Sequence, residues 1–266
     1  MDTCVNEEDF RLLARDRYTF AVLTRILRDE CELILSDHRR LILCHSARQY
    51  PVWIWTPDDA SEAEKEAAWA LASAQRPLSG GYRYNLRYDL AGYFIDRARE
   101  SGLNAGISMR LFAYDCPEPI KPQHAAEGEL YSCRESDVEE VAALMPLFFT
   151  EIGEAVPPRE QCLERAKWHI DNSTFFFWKN AEGKTVACCS YRCIQGLASL
   201  GSVYTLPDYR RMHYAQNLVY AVTKRVSDMG LIPMLYTDAD YAASNACYGK
   251  IGYILRGKLC TLALLK

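Results

Sequence analysis

The sequence predicts an α/β protein, with α+β mixed sheets in two domains. Three observations carry this. Short apolar, β-branched runs alternate with segments of helical period along the whole chain. The order strand, strand, strand, helix, strand, helix, strand can be read twice, once in each half. Between the halves, Cys116-Pro-Glu-Pro-Ile-Lys-Pro122 and on to Gly128 holds three prolines and no period, as a stiff linker would. A length of 266 residues also fits about two domains. The expected boundaries are therefore an N-terminal α/β domain at 1–115, the linker at 116–128 and a second domain at 129–266.

The first half opens with a helix over 7–29, whose stripe is Phe10, Leu13, Phe20, Leu23 and Leu27, with Arg17 as a polar exception. Strands at 32–35 and 41–45 flank Ser36-Asp-His-Arg-Arg40, a hairpin candidate with its arginines at the exposed turn. Residues 51–56 form a third strand, and its Trp53 and Trp55 are read as packing residues. Ser61-Glu-Ala-Glu64 is a capping box that starts a helix to about Gln75. A weak strand at 82–86 precedes a helix capped by Asp89 and closed by Gly102, and a strand follows at 107–114. In the second half, a strand at 130–133 leads to a helix capped by Ser136 or Asp137, then to a helix over 159–170. Strands at 174–178 and 186–193 form a hairpin around Asn180-Ala-Glu-Gly183.

The stretch 199–253 holds the chemistry. Leu200 to Thr205 reads as a strand, broken by Pro207 and Asp208. Ala215, Leu218, Val219, Val222, Val226 and Met229 then share one helical face, and Gly230 stands just past it. A strand at 233–237 and a helix over 242–250 ending at Gly252 complete the stretch. The junction at Arg210 to Ala215 is the informative point. A loop feeding a helix presents unpaired N–H groups, the helix dipole favours an anion there, and two arginines precede the first turn. That chemistry suits a phosphate or diphosphate, although an arginine pair on a loop is more often simply solvated.

With the later residues Ser244-Asn245-Ala-Cys-Tyr248-Gly-Lys-Ile-Gly252-Tyr253, the stretch resembles the GNAT superfamily of acyl-CoA-dependent N-acyltransferases over about residues 129–266. The family's Arg/Gln-x-x-Gly-x-Gly/Ala loop corresponds to Arg210-Arg211-Met212-His213-Tyr214-Ala215, with His213 in place of a glycine. The resemblance implies a GNAT fold in the second domain and acetyl-CoA as co-substrate. It implies donor binding by Val203, Tyr204 and Thr205 of a splayed strand, by residues 210–215 and by Asn245, and it implies Tyr248 as the acid that protonates the leaving thiolate. Glu151, Glu154 and Glu160 stand where the family lines its acceptor site, and none is singled out as a base. The first half carries a faint echo: Trp55-Thr56-Pro57-Asp58 against Tyr204-Thr205-Leu206-Pro207-Asp208. It is read either as a degenerate copy of the same fold or as an unrelated α/β domain, with acidic Asp58-Asp59 where the second copy has its arginines.

Composition bounds the rest. A net charge of −4 and a pI near 5.8 disfavour nucleic-acid binding. No run of about 18 apolar residues suggests a membrane span, and the acidic first residues lack the pattern of a signal peptide. Eleven cysteines without a Cys-x-x-Cys pair read as buried or spectator thiols in a reducing cytoplasm. Neither they nor the histidines show metal-ligand spacing, so no metal is expected. The sequence is thus read as a cytoplasmic N-acetyltransferase acting on a primary amine of a small molecule, with a homodimer left open. The alternative is a non-catalytic acyl-CoA-binding sensor or scaffold.

Overall fold

A computed structural model describes residues 1–29 and 31–265. The chain divides into two compact units: residues 1–113, 237–240 and 255–266 in the first, and 114–236 and 241–254 in the second. The expected linear boundaries at 115 and 129 do not follow this division, because the C-terminal strand lies in the first unit.

The first unit begins with α1 (Glu7–Arg15) and α2 (Ala21–Ile26), where the sequence suggested one helix. The break has a tertiary cause. Asp16, past the end of α1, accepts the Trp55 indole N–H at 2.9 Å and pairs with Arg87 at 2.6 Å. The aromatic and β-branched Tyr18-Thr19-Phe20 that follows favours helix little. β1 (Leu33–Ser36), β2 (Ile42–His45) and β3 (Val52–Trp55) run antiparallel in turn. Both tryptophans of β3 are buried, as packing requires. α3 (Glu62–Gln75) starts at the expected capping box, with Ser61 and Glu64 bonded reciprocally. β4 (Tyr84–Leu86) pairs parallel with β3. α4 (Tyr88–Glu100) has Arg87 at its N-cap, so Asp89 lies in the first turn instead of capping it. β5 (Ala105–Asp115) follows.

The second unit contains β6 (Glu129–Ser132), α5 (Val138–Glu151), α6 (Arg159–Asp171), β7 (Phe175–Lys179), β8 (Thr185–Ile194) and β9 (Leu197–Thr205). Asp137 stands at the N-cap of α5, but its carboxylate accepts Arg134 N–H at 2.7 Å and Tyr131 O–H at 3.0 Å and makes no bond to the helix. Then come α7 (Tyr214–Asp228), β10 (Ile232–Asp238) and α8 (Ala242–Ile251). β11 (Ile254–Leu264) returns to the first unit, antiparallel to β4. Strand order is β1-β2-β3-β4-β11-β5 in the first unit and β10-β9-β8-β7-β6 in the second.

The predicted face of α7 is the buried one. Leu218, Val219, Val222 and Val226 are fully enclosed in a core with Leu200, Leu235, Tyr248 and Tyr253, while Met229 at the helix end is exposed. Burying each such aliphatic side chain contributes roughly 1.5–3 kcal/mol, so this face fixes the helix over the sheet. Gly230 and Gly252 take left-handed φ values of 77° and 101°, and a Cβ on Gly252 would fall 2.5 Å from the Glu118 carbonyl oxygen. Most cysteines are buried free thiols. Burial pushes Cys188 up to about 12 and Cys189 well above its usual range, so these adjacent strand residues stay protonated at neutral pH.

Candidate acyl-donor site

The site is built on the end of β9. Its parallel register with β10 runs from Leu197↔Ile232 to Leu200↔Leu235 and stops there. On its other side, β9 pairs with β8 through a bulge. Gly201 faces Ser190 and Tyr204 faces Cys188, so Ser202 and Val203 together oppose Cys189. Ser202 has φ of 49°, an uncommon value for a residue with a Cβ, and its carbonyl accepts the Cys188 thiol at 3.3 Å. The bulge re-aims the strand where its pairing with β10 ends. The β10-facing edge of Gly201–Thr205 therefore carries peptide groups with no ladder partner opposite, and a ligand amide is the natural acceptor of such bonds. Val203, Tyr204 and Thr205 all lie on this segment.

A one-turn 3-10 helix, Pro207–Tyr209, follows, and then the basic loop. Arg211 and His213 both have φ of 64°. The left-handed backbone at His213 is the reason a glycine would suit this position. His213 is the N-cap of α7 and gives that helix no side-chain cap. Its ring lies 4.8 Å from the His124 ring, and its carbonyl accepts the Asn217 amide N–H. The first N–H groups of a 15-residue helix are thus left for an outside anion. The start of α3 is the opposite case. There the Glu64 carboxylate accepts the Ser61 N–H, the Ser61 hydroxyl accepts the Glu64 N–H, and Arg40 is ion-paired to both Asp59 and Glu64.

The loop's side chains divide. Met212 is exposed, and Tyr214 is buried with its hydroxyl donating to Glu127 at 2.9 Å. Ala215 is partly buried. Arg210 donates from Nε to the Thr205 carbonyl at 3.1 Å and from Nη2 to Glu151 at 2.8 Å. Nothing in the sequence pairs Glu151 with Arg210, which stands 59 residues further along.

Tyr248 is a buried residue of α8. It shares a core with Leu200 and Leu235, which end the parallel register, and its ring packs edge-on to Tyr253 at 5.8 Å. Burial drives its phenol well above the ordinary value. The Cys247 and Cys189 thiols add to that rise, and a hydrogen bond with the Ser244 side chain opposes it. The hydroxyl therefore holds its proton throughout the neutral range. Asn245, one helical turn earlier, bonds the Tyr241 carbonyl at 3.1 Å and stands 3.4 Å from the Tyr114 hydroxyl. A surface hollow of about 600 Å³ is lined by Leu130, Tyr220 and Lys224, and none of these groups lines it.

Among the described residues, no three His, Cys, Asp or Glu side chains gather to hold a metal, and no helix is long and apolar enough to cross a membrane.

Residues 139–253 match the profile of the acetyltransferase (GNAT) family. Three solved structures illustrate the likeness in fold. One is an acetyltransferase of the GNAT family from Colwellia psychrerythraea, with TM-score 0.60 and 12% identity, covering 100% of this chain and 99% of its own. Another is a GCN5-related N-acetyltransferase from Sphaerobacter thermophilus, with TM-score 0.66 and 12% identity, covering 90% and 84%. A third is a tandem GNAT protein from the clavulanic acid biosynthesis pathway, with TM-score 0.56 and 12% identity, covering 84% and 77%. No curated protein sequence matches this chain closely enough to count as a relative.

Proposed function

Because residues 139–253 match the profile of the GNAT acetyltransferase family, we propose that this protein transfers the acetyl group of acetyl-CoA to a primary amine of a small molecule. The observation that carries the reading is the uncapped start of α7 beside the open edge of β9. Acetyl-CoA brings a diphosphate, an amide-bearing arm and a thioester, and the residues present fit all three. The N–H groups at the start of α7, with Arg211 and Arg210, would hold the diphosphate. The unpaired edge of Val203–Thr205 would pair with the amides of the arm. The thioester would then lie toward Tyr248.

The chemistry follows from those placements. The acceptor nitrogen attacks the thioester carbon, the C–N bond forms, the C–S bond breaks, and one proton passes from nitrogen to sulfur overall. A bulge N–H can stabilise the developing oxyanion, and Tyr248 can donate its proton to the sulfur as negative charge grows there. Burial raises the pKa of the phenol and so keeps it protonated, available to the sulfur as negative charge grows there.

The first unit supports a second statement, that it is a degenerate copy of the same fold. β1-β2-β3-α3-β4-α4-β5 repeats the order β7-β8-β9-α7-β10-α8-β11. The pairings β1–β2 and β2–β3 are antiparallel and β3–β4 is parallel, as for β7–β8, β8–β9 and β9–β10. The self-capped start of α3 would exclude a diphosphate from this copy.

Two measurements test the function. Acetyl-CoA at 100 times its Kd should stabilise the protein by about 2.7 kcal/mol. Thiol release should appear with at least one member of a panel of small amines, amino acids and peptides. Stabilisation without turnover of any amine would favour the sensor or scaffold reading, and neither effect would overturn both.

A further inference from the structure

Glu151 is the last residue of α5, where the helix dipole is negative and a carboxylate is disfavoured. Arg210 offsets that. Its Nη2 lies 2.8 Å from Glu151 Oε2, its Nε bonds the Thr205 carbonyl at the end of β9, and its guanidinium stands 5.7 Å from the centre of the Tyr204 ring. Tyr241, which precedes α8, is also within electrostatic range of it. Arg210 is therefore fastened to the strand end and to α5, although it belongs to the loop that leads to the uncapped start of α7. Both partners are about one-third exposed. A pair that open to water contributes little and exchanges readily.

The geometry points to Glu151 as a positioning residue that competes with the acyl donor's diphosphate for Arg210. In the free protein the carboxylate holds the guanidinium at the end of β9. A diphosphate at the start of α7 offers more negative charge and a bidentate partner, so Arg210 turns to it and Glu151 is released. Donor affinity is then set by the difference between the two contacts, and returning to Glu151 helps Arg210 let the product go. This inference rests on the donor reading above.

Calorimetry with CoA on the full chain tests it, using Glu151→Gln, Arg210→Gln and the double variant. Glutamine keeps the size and a neutral acceptor. Glu151→Gln should tighten CoA about two- to five-fold, as loss of an exposed competing pair predicts. The same change in the Arg210→Gln background should leave the Kd unaltered. Acetyl-pantetheine, which lacks the diphosphate, should bind wild type and Glu151→Gln alike, which a merely structural role for Glu151 would not produce. Unchanged or weaker CoA binding by Glu151→Gln overturns the competition, as does equal tightening in the Arg210→Gln background. If wild-type protein binds no CoA at all, the donor reading itself fails.

Discussion

Replacing Tyr248 by Phe removes one oxygen from an enclosed site and keeps the ring. The edge-on packing against Tyr253 is preserved and the ring stays in its apolar core, so the core should hold. What is lost is the hydrogen bond with Ser244. A neutral hydrogen bond of this kind is worth about 0.5–1.5 kcal/mol, and Ser244 can bond to its own helix backbone instead, so the stability loss should lie at the low end. Catalysis should suffer more. Removing the proton donor to a leaving thiolate should slow the chemical step by roughly 100-fold or more, equivalent to about 2.7 kcal/mol or more at the transition state. The loss should fall on kcat and leave the donor Kd nearly unchanged, because the hydroxyl is needed only as sulfur gains charge. The buried phenol is held well above its ordinary value, so wild-type kcat should show no falling limb from Tyr248 ionisation across the neutral range. Single-turnover thiol release with the most reactive amine of the panel reads the step directly. An unchanged single-turnover rate in the Phe variant would refute the assignment and make Tyr248 a packing residue, with water as the proton source.

Four further outcomes follow from the same structure. His213→Gly relieves a left-handed backbone worth about 1–2 kcal/mol and adds unfolded-chain entropy worth about 0.4–1 kcal/mol, so stability should rise by about 1 kcal/mol or less, with CoA binding kept or tightened. Weaker CoA binding by this variant would instead make His213 a ligand of the phosphates. CoA should titrate to one site per chain, because the start of α3 is self-capped and lined by Asp59 and Glu64; a second tight site would refute the contrast between the two helices. His169 is buried, with Nδ1 2.8 Å from Thr174 Oγ1, and burial with the nearby Arg192 and Arg165 lowers it from 6.5 to about 4. A depressed histidine stabilises above its unfolded value, so about 3 kcal/mol should be lost as pH falls from 6.5 to 4, and urea midpoints of His169→Gln should lack that slope. His38 has the opposite sign. Hydrogen bonds to Asp9 and Asp2 at 2.7 and 2.8 Å raise it, so its contribution is complete below 6.5 and disappears as pH rises through the raised value, a dependence that Asp2→Asn should weaken.

How much of this was legible depended on the range of the interaction. The stretch 199–253 was readable because its signals are local. Pro207 ends a strand, Gly230 and Gly252 take the left-handed turns that close two helices, and four valine and leucine positions on α7 repeat at helical spacing. The glycine-like demand at His213 was visible as a mismatch with the family's loop, and the backbone there is left-handed as a glycine position would be. The bulge was not visible, because it arises from how Cys188 and Ser190 of another strand align with Tyr204 and Gly201. The broken first helix was missed for a similar reason: Asp16 is drawn to Trp55 and Arg87, both far along the chain. The domain boundaries were read along the chain, whereas β11 pairs with β4 across more than 170 residues. Local patterns therefore named the elements and the loop. The contrast between the two helix starts is also partly local: Ser61-Glu-Ala-Glu64 states in sequence that α3 carries a capping box, and Arg210–Ala215 contains no such cap. What only the fold adds is that the pairing of β9 with β10 stops at Leu200, ahead of the uncapped start of α7, so the proposed site has both an open strand edge and free helix N–H groups to draw on. Either feature alone is common; together they match a ligand with a diphosphate at one end and an amide chain at the other.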